Sequence, residues 1–503
     1  MKKITVFLLS FIFIYLLLGK NLSPFSKTMF QFHDQTQPAR IQQFSLNLKN
    51  LKIPPRIAPD FYYKLGYPVF NFYAPTAYWI TSGINLLGFN IVNSLKSSFF
   101  LAIILAFIFS FLFLKNFFDY YPSLFGAIIY ITILYLPANI FVRGNLAEVW
   151  FITLLPLSLS FLYKNSQRLI PANLVFGTII LSLTYTSHNL LSIFFIPLSI
   201  IFAFLLKNKK INLLSIVLAL LLSSYFLLPL FLENHLTIAK EMAAKTKYQD
   251  HFLCLNQLWD SPWGFGGSIK GCSDGMSFKL GKFPIIFAIL GLITFLINFF
   301  RNKIKRNYML RVTCYVLLLT IASLFMTTNL SQPIWDLFSP ILAVFQFPWR
   351  FISFSMLGIA FFSSYFWHNV KLPNVILNLF QDLTRKQIPK QVRNDTKNLI
   401  IILAIFVLLI INAKYFQGKT ISKSTYEKKY LSQKYIQEEA AFQIPEYFSN
   451  FPKNKEKSFN NIPIELINNQ TTIEKISNLI TLLTFLFLGF ILINKQLWKK
   501  ITN

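Results

Sequence analysis

Repeated long apolar runs constrain the fold of this sequence more than any other feature. A helix needs about 20 apolar residues to cross the hydrocarbon core of a bilayer. Charged residues make up only 13% of the 503 residues, well below the roughly 25% typical of soluble domains. The sequence therefore predicts an all-α polytopic membrane protein with about 12 transmembrane helices, near residues 4–19, 95–114, 121–140, 147–163, 170–187, 190–206, 212–232, 283–300, 310–327, 349–368, 398–414 and 477–494.

The distribution of Lys and Arg predicts the orientation of these helices. Short cytoplasmic connections are enriched in basic residues, and short outer connections are poor in them. The short connections on one side contain little beyond Arg143 and Arg350. Those on the other side are basic: 115–120, 164–169, 207–211, 301–311, 371–397 and the C-terminal tail. The pattern predicts cytoplasmic N- and C-termini, and it accounts for the net charge of +29 without a nucleic-acid partner.

This topology divides the chain into three parts. Residues 1–414 form the polytopic membrane domain, with long outer loops at 20–94 and 233–282. Residues 415–476 form a small outer segment, and 477–503 contain the last transmembrane helix and a basic inner tail. The apolar N-terminus has no small-residue cleavage site, which favours a retained first membrane helix over a removed signal peptide.

The outer loop 233–282 is rich in Gly and Trp and is predicted to cover a site as a lid. It contains Cys254 and Cys272, which can form a disulfide in an oxidising compartment. The sequence leaves the oxidised and reduced forms open. Cys314 lies within an apolar run and is predicted to be an inert packing residue.

Ionisable residues are almost absent from the interiors of the predicted spans. Glu148, Arg311 and Arg350 lie at the ends of runs, and His188 lies at an outer turn. Ion-coupled transporters need ionisable residues near the middle of the membrane. The pattern favours chemistry at the outer surface over ion-coupled transport.

The stretch 30–75 holds the most conspicuous polar residues, with His33 and Asp34 near its start. Apolar residues recur at helical spacing after Asp34, at Ile41, Phe44, Leu48 and Leu51. This spacing predicts an amphipathic helix on the membrane surface. Asp34 with Gln37 matches a capping box. The alternative is a functional carboxylate, acting as a general base or as a metal ligand.

Four arginines are predicted to lie near the outer interface: Arg40, Arg56, Arg143 and Arg350. Arginine binds phosphate with a fork of donors and keeps its charge. One interpretation is a site for a lipid phosphate or pyrophosphate. The other is that each side chain reaches the lipid headgroups without a specific ligand.

Other candidate binding residues also have two interpretations. Glu148 either binds substrate or pairs with Arg143, five residues earlier. His188 is either a proton carrier or a polar helix end. The aromatic cluster at 66–79, which includes Tyr67, either stacks on sugar rings or belongs to an interfacial belt. HExxH, GxSxG and CxxC patterns are absent, so no metal site is assigned.

Several short motifs occur in order along the chain, and together they resemble a known family. They are HD, an Arg, PPR, GYPxFNFYAP, RGNLAE, SHN, FPWRF and PEY. The string is similar to bacterial multi-spanning membrane proteins labelled with a 6-pyruvoyl-tetrahydropterin-synthase-related domain. Soluble pterin synthases bind zinc through clustered histidines, whereas this chain has five scattered ones. The family label therefore does not imply pterin synthase activity for this chain.

The architecture in turn resembles the GT-C class of membrane glycosyltransferases. The resemblance implies a sugar donor linked to polyprenyl phosphate and an envelope glycan or lipid acceptor, at the outer face of the bacterial inner membrane. Asp34 then matches the catalytic carboxylate, with His33 beside it, and the arginines match ligands of the donor phosphate. No cofactor is assigned, and a divalent cation is left open. The alternatives are a transporter or flippase of lipid-linked saccharides and a non-catalytic membrane scaffold.

Overall fold

The structure is a computed structural model of the chain, and it describes residues 3–301, 308–370, 390–448 and 470–502. Helices are the predominant secondary structure of these residues, as the sequence predicts, and two short strands pair as a sheet. Seven of the described helices are long and apolar enough to cross a membrane: Ile91–Leu114, Tyr120–Arg143, Leu146–Gln167, Lys282–Phe300, Met309–Thr327, Asp395–Tyr415 and Thr472–Ile493.

Two pairs of helices are bent rather than straight. Lys209–Leu222 and Ser224–Leu232 meet at 70°, and Ser339–Phe345 and Pro348–Asn369 meet at 82°. Counting each pair as one span raises the number of candidate spans to nine. Three shorter apolar helices complete the set, at Lys3–Leu18, Pro171–Tyr185 and Asn189–Leu205.

An apolar helix lies at each of the twelve predicted positions, but seven to nine qualify as spans by length and composition. The count of about 12 transmembrane helices is thus not established. The difference arises because run length in the sequence does not reveal where a helix bends or stops short.

The described helices differ strongly in how much protein surrounds them. Tyr120–Arg143 is 100% buried over its most apolar stretch, and Leu146–Gln167 is 89% buried. Lys282–Phe300 and Thr472–Ile493 are only 17% and 22% buried, as expected for helices that face lipid. Tyr120–Arg143 and Leu146–Gln167 are therefore the two central helices of the bundle. The turn that joins them follows directly after Arg143.

The first outer loop packs onto the helical bundle. Its strand Thr28–Gln31 pairs antiparallel with Lys419–Ser422. Short helices follow at Val69–Phe72 and Thr76–Leu86. The helix predicted from Asp34 begins at Gln37 and ends at Lys49. Its apolar residues Ile41 and Phe44 are fully buried among protein side chains, so its apolar face packs against protein, and its position at a membrane interface stays a prediction.

The second outer loop is built from short elements and one covalent crosslink. They include the helices Ala239–Lys245 and Leu255–Trp259, and an antiparallel bridge between Phe265 and Met276. A disulfide joins Cys254 to Cys272. The third outer segment contains the helix Lys423–Tyr430, and its part at 449–469 lies outside the described residues.

Replacing Cys254 and Cys272 together with serine is expected to make this loop several-fold more sensitive to limited proteolysis. A crosslink between residues 18 positions apart restrains the unfolded loop by about 3 kcal/mol on the chain-entropy model. Cleavage rates of the detergent-solubilised protein without reductant measure the effect. Cys314→Ser removes the free thiol and serves as the control. Equal rates in the double variant and the wild type would contradict the prediction.

Candidate functional site

The backbone of His33 and Asp34 is attached to the end of the most buried helix. The amide of His33 donates to the Val142 carbonyl (2.9 Å), and that of Asp34 donates to the Arg143 carbonyl (3.0 Å). Gly144 follows with a left-handed φ of +65°, and a Cβ at this position would collide with the Phe32 ring. The glycine of the RGN turn thus lets the first outer loop lie directly on the central helices.

The Asp34 carboxylate is held by three side chains. It accepts hydrogen bonds from Thr36 Oγ1 (2.7 Å) and Gln37 Nε2 (2.8 Å), and it forms an ion pair with Arg40. Arg40 also donates to the Tyr78 hydroxyl (2.7 Å). Thr36, rather than Asp34, occupies the N-cap position, without a side-chain capping bond. The capping interpretation of Asp34 is therefore replaced by a side-chain network.

Arg40 and Asp34 differ in their access to solvent. The Arg40 side chain is 1% exposed and that of Asp34 is 27% exposed. Burial is the largest influence on the pKa of Arg40 and lowers it, but Asp34, Tyr78 and Tyr73 together hold the pKa above its usual value. Arg40 thus holds the carboxylate of Asp34 from the buried side. The carboxylate itself remains partly accessible to solvent.

Glu148 is fully buried and forms the centre of a second network. It pairs with Arg143 (2.6 Å). It also accepts hydrogen bonds from the hydroxyls of Tyr135 (2.5 Å) and Ser353 (2.8 Å), and from Asn145 Nδ2 (3.1 Å). This contact set favours the pairing interpretation of Glu148. The charge of Arg143 is neutralised within the protein.

Arg350 differs from the other three arginines because it forms no ion pair with a carboxylate among the residues that the structure describes. Its Nη1 donates to the Phe345 carbonyl (2.8 Å), and its guanidinium lies over the Phe347 ring (4.9 Å). Its Nε is buried without a hydrogen-bond partner. A desolvated cation without a counterion is an attractive site for an anionic ligand.

A cavity of about 440 Å³ brings many of the predicted residues together. Its polar wall includes His33, Asp34, Arg143, Asn145 and Arg350, and the second outer loop contributes His251, Gly267, Ser268 and Met276. We call this space the larger cavity. The loop 233–282 was predicted to cover a site as a lid, and four of its residues line this cavity.

The second outer loop also contacts His33 directly. Its imidazole Nε2 lies 2.9 Å from the Phe265 carbonyl oxygen. Because a carbonyl accepts hydrogen bonds, Nε2 carries the hydrogen of this pair. His251 Nδ1 and Ser268 Oγ lie 3.1 Å apart in the same loop. Burial lowers the pKa of His251, and Arg350 contributes to that shift.

A second cavity, of about 260 Å³, adjoins the larger one and shares Tyr73, Asn145 and Arg350 with it. We call it the smaller cavity. Its other polar lining residues are His188, Asn189, Asn234, Gln346, Glu446 and Tyr447. Apolar side chains form the rest of its wall, including Leu190, Ile193, Leu230, Phe231, Val344 and Ile444.

His188 lies in the break between two apolar helices and caps the second of them. Its Nδ1 accepts a hydrogen bond from the Leu191 amide (3.3 Å). Burial, the largest cause, lowers the pKa of His188 to about 3. The ring is therefore neutral near pH 7, with its hydrogen on Nε2. This geometry favours the helix-end interpretation over a proton carrier.

Arg56 and Tyr67 line neither cavity. Arg56 donates to Asn478 Oδ1 (2.8 Å) and lies 3.9 Å from the Glu474 carboxylate, so it ties the first outer loop to the last membrane helix. The Tyr67 hydroxyl donates to the Ile444 carbonyl and accepts from the Tyr447 amide (3.1 Å). Tyr67 thus fixes the PEY segment beside the smaller cavity.

The wall residues that were not singled out in the sequence include Tyr73, Asn145 and Glu446. Each lies inside a motif noted above, respectively GYPVFNFYAP, RGNLAE and PEY. Their positions within these motifs could have marked them as candidate site residues. Their residue types alone gave no reason to choose them. Within the described ranges, no group of three His, Cys, Asp or Glu side chains is placed to hold a metal ion.

Comparison with solved structures identifies a related fold. The archaeal oligosaccharyltransferase AglB from Archaeoglobus fulgidus, in complex with an inhibitory peptide and a dolichol-phosphate, is 14% identical with a TM-score of 0.52. The match covers 84% of this chain and 56% of that chain. The apo form of the Archaeoglobus fulgidus oligosaccharyltransferase gives a TM-score of 0.51, with 84% and 57% covered at 14% identity. This chain thus spans just over half the length of those proteins, and the likeness concerns the fold.

Comparison of sequences gives a family. No curated protein matches the chain. A family model described as "6-pyruvoyl-tetrahydropterin synthase related domain; membrane protein" matches residues 70–417, more than half of the sequence. The matched range starts after His33 and Asp34. It includes the RGNLAE, SHN and FPWRF motifs. The chain therefore belongs to the membrane protein family of the 6-pyruvoyl-tetrahydropterin synthase related domain.

Proposed function

We propose that this protein is a glycosyltransferase that takes a sugar from a polyprenyl-phosphate-linked donor and transfers it to a cell-envelope acceptor. The observation that carries the proposal is the position of Arg350. This half-buried cation lies in the wall shared by the two cavities. Asp34 lies on one side of it, and a cavity with apolar walls lies on the other. A phosphate bound at Arg350 would therefore have the Asp34 carboxylate on one side. On its other side it would have an apolar cavity that can accommodate a lipid chain.

The rim of the smaller cavity supports a lipid-linked donor. Phe231 is 57% exposed, Val344 45% and Ile193 36%. In a membrane protein, apolar side chains with this exposure are suited to contact hydrocarbon. An isoprenoid chain can thus leave the cavity between these side chains while its phosphate stays at Arg350.

The proposed reaction is a direct displacement with Asp34 as general base. Asp34 accepts the proton of the acceptor hydroxyl, and the hydroxyl oxygen forms a bond to the anomeric carbon of the sugar. The bond between that carbon and the phosphate oxygen breaks, and the lipid phosphate leaves with the electron pair. Arg350 stabilises the charge that develops on the phosphate. We place the reaction at the outer face of a bacterial inner membrane, with both termini cytoplasmic.

The other arginines have supporting roles in this proposal. Arg143 lines the larger cavity, but Glu148 neutralises it, so it contributes hydrogen bonds more than net charge. Arg40 positions Asp34. Arg56, paired with the last membrane helix, takes no part in donor binding.

Replacing Arg350 with glutamine is expected to weaken binding of a polyprenyl monophosphate by about 10-fold or more, because charge-assisted hydrogen bonds contribute about 1.5–3 kcal/mol. The lipid is titrated into the purified protein in nanodiscs, and bound lipid is counted by native mass spectrometry. Lys270→Gln removes an exposed positive charge from the outer loop and is the matched control. Equal affinities for wild type and Arg350→Gln would reject the proposed phosphate site.

A further inference from the structure

The smaller cavity contains polar atoms that the protein itself leaves without partners. Glu446 Oε2 and Asn189 Oδ1 are buried and have no hydrogen-bond partner among the described residues. Asn189 Nδ2 donates to the Phe72 carbonyl (2.5 Å), which fixes Oδ1 as the atom left over. Both unpartnered atoms are hydrogen-bond acceptors, and burying such atoms unsatisfied costs about 1–3 kcal/mol each.

A hydrogen-bond donor lines the same cavity. Because His188 Nδ1 accepts from the Leu191 amide, the other ring nitrogen carries the hydrogen and can donate. Residues of the cavity wall therefore carry two unpartnered acceptors and one neutral donor, next to Arg350 and to the amide side chains of Asn145, Asn234 and Gln346. Gln346, also in the wall, has a left-handed φ of +59°. A non-glycine residue seldom adopts this conformation except where the surrounding structure imposes it.

The chemistry of these atoms discriminates between kinds of ligand. A phosphate group offers no donors to Glu446 and Asn189 and would be repelled by a carboxylate. A hydrocarbon chain would leave all three polar groups unsatisfied. Hydroxyl groups both donate and accept, and a ring that carries several of them can satisfy all three. The rings of Tyr73 and Tyr447 in the same wall offer flat apolar faces for such a ligand.

We propose that the smaller cavity binds the polyhydroxylated sugar ring of the donor, with Glu446 and Asn189 accepting hydrogen bonds from ring hydroxyls and His188 donating one. This inference rests on the proposed function, because it places the sugar next to the phosphate at Arg350. Glu446 and Asn189 then determine which sugar is accepted. Burial raises the pKa of Glu446, and the nearby Asp34 adds to the rise while Arg40 and Arg350 oppose it. Hydrogen bonds from hydroxyls would replace the solvation that this carboxyl group has lost.

The test compares a polyprenyl monophosphate with the same lipid carrying glucose, mannose or arabinose on its phosphate. Binding is measured in nanodiscs by native mass spectrometry. At least one glycosylated lipid is expected to bind wild-type protein about 10-fold more tightly than the monophosphate. Glu446→Ala is expected to remove most of that gain without weakening the binding of the monophosphate, because the substitution removes a carboxylate that repels phosphate. Glu446→Gln, which keeps one acceptor, is expected to retain part of the gain.

Glu439→Ala removes an exposed carboxylate from the same outer segment and is expected to behave as wild type. If none of the three glycosylated lipids binds more tightly than the monophosphate, the sugar site is refuted. An equal loss of affinity for both kinds of lipid in Glu446→Ala would refute it as well. Failure of the proposed function looks different, since the monophosphate would then show no binding that depends on Arg350.

Discussion

Replacing Asp34 with asparagine is expected to lower the rate of glycosyl transfer by roughly 10²- to 10⁴-fold, the range that a positioned general base contributes. Asparagine has nearly the same shape, and its single side-chain oxygen can still accept a hydrogen bond from Thr36 or from Gln37, which donate to different oxygens of Asp34. It cannot accept the proton of an acceptor hydroxyl. The measurement is the envelope glycan profile of a deletion strain that expresses the variant, recorded by mass spectrometry and compared with wild-type complementation.

Two controls separate catalysis from folding. Asp34→Asn leaves the buried Arg40 without its carboxylate, so the amount of membrane-inserted protein is quantified alongside the glycan profile. Asp60→Asn changes another carboxylate of the first outer loop, which accepts from Gln43 and lines neither cavity. It is expected to complement fully. Full complementation by Asp34→Asn, where deletion alters the profile, would exclude catalysis at this position.

Replacing Glu148 with alanine is expected to destabilise the protein by about 3–5 kcal/mol, the usual effect of removing one partner from a buried ion pair. Arg143 would remain in the most enclosed part of the bundle without a counterion. Tyr135, Ser353 and Asn145 would lose their shared acceptor at the same time. Equilibrium unfolding in mixed micelles, followed by tryptophan fluorescence, measures the change.

The matched control for Glu148 is a glutamate in a partly exposed ion pair. Glu427 lies 4.0 Å from Lys423 on the outer segment, with side chains that are 33% and 19% exposed, and solvent-accessible pairs contribute about 0–1 kcal/mol. Glu427→Ala should therefore leave the unfolding midpoint almost unchanged. Similar midpoints for the two alanine variants would show that the Glu148 network contributes little to stability.

The apolar helices were predictable because each is encoded by a contiguous run of residues. The candidate site was predictable in part, since Asp34, Arg143 and Arg350 stood out as polar residues near the outer surface. The sequence did not reveal which arginine lacks a counterion. That depends on partners far along the chain, as with Arg56 in the first outer loop and Glu474 in the last membrane helix.

Glu446 illustrates the other limit of sequence reasoning. It lies in an outer segment with several other acidic residues, and its spacing does not distinguish it from Glu438 or Glu439. Its distinction comes from the fold, because Tyr67 holds the PEY segment against the wall of the smaller cavity. The unpartnered oxygen of Glu446 arises from that packing and has no signature in the local sequence.

The backbone attachment of His33 and Asp34 has a consequence for activity in different membranes. A change in bilayer thickness acts on helices that touch lipid, which respond by tilting. The backbone amides of His33 and Asp34 donate to the carbonyls of Val142 and Arg143, at the end of a helix that is fully enclosed by protein over its most apolar stretch. We therefore expect the distance between Asp34 and Arg143 to stay constant across lipids of different chain length, while the apolar rim at Phe231 adapts to each bilayer.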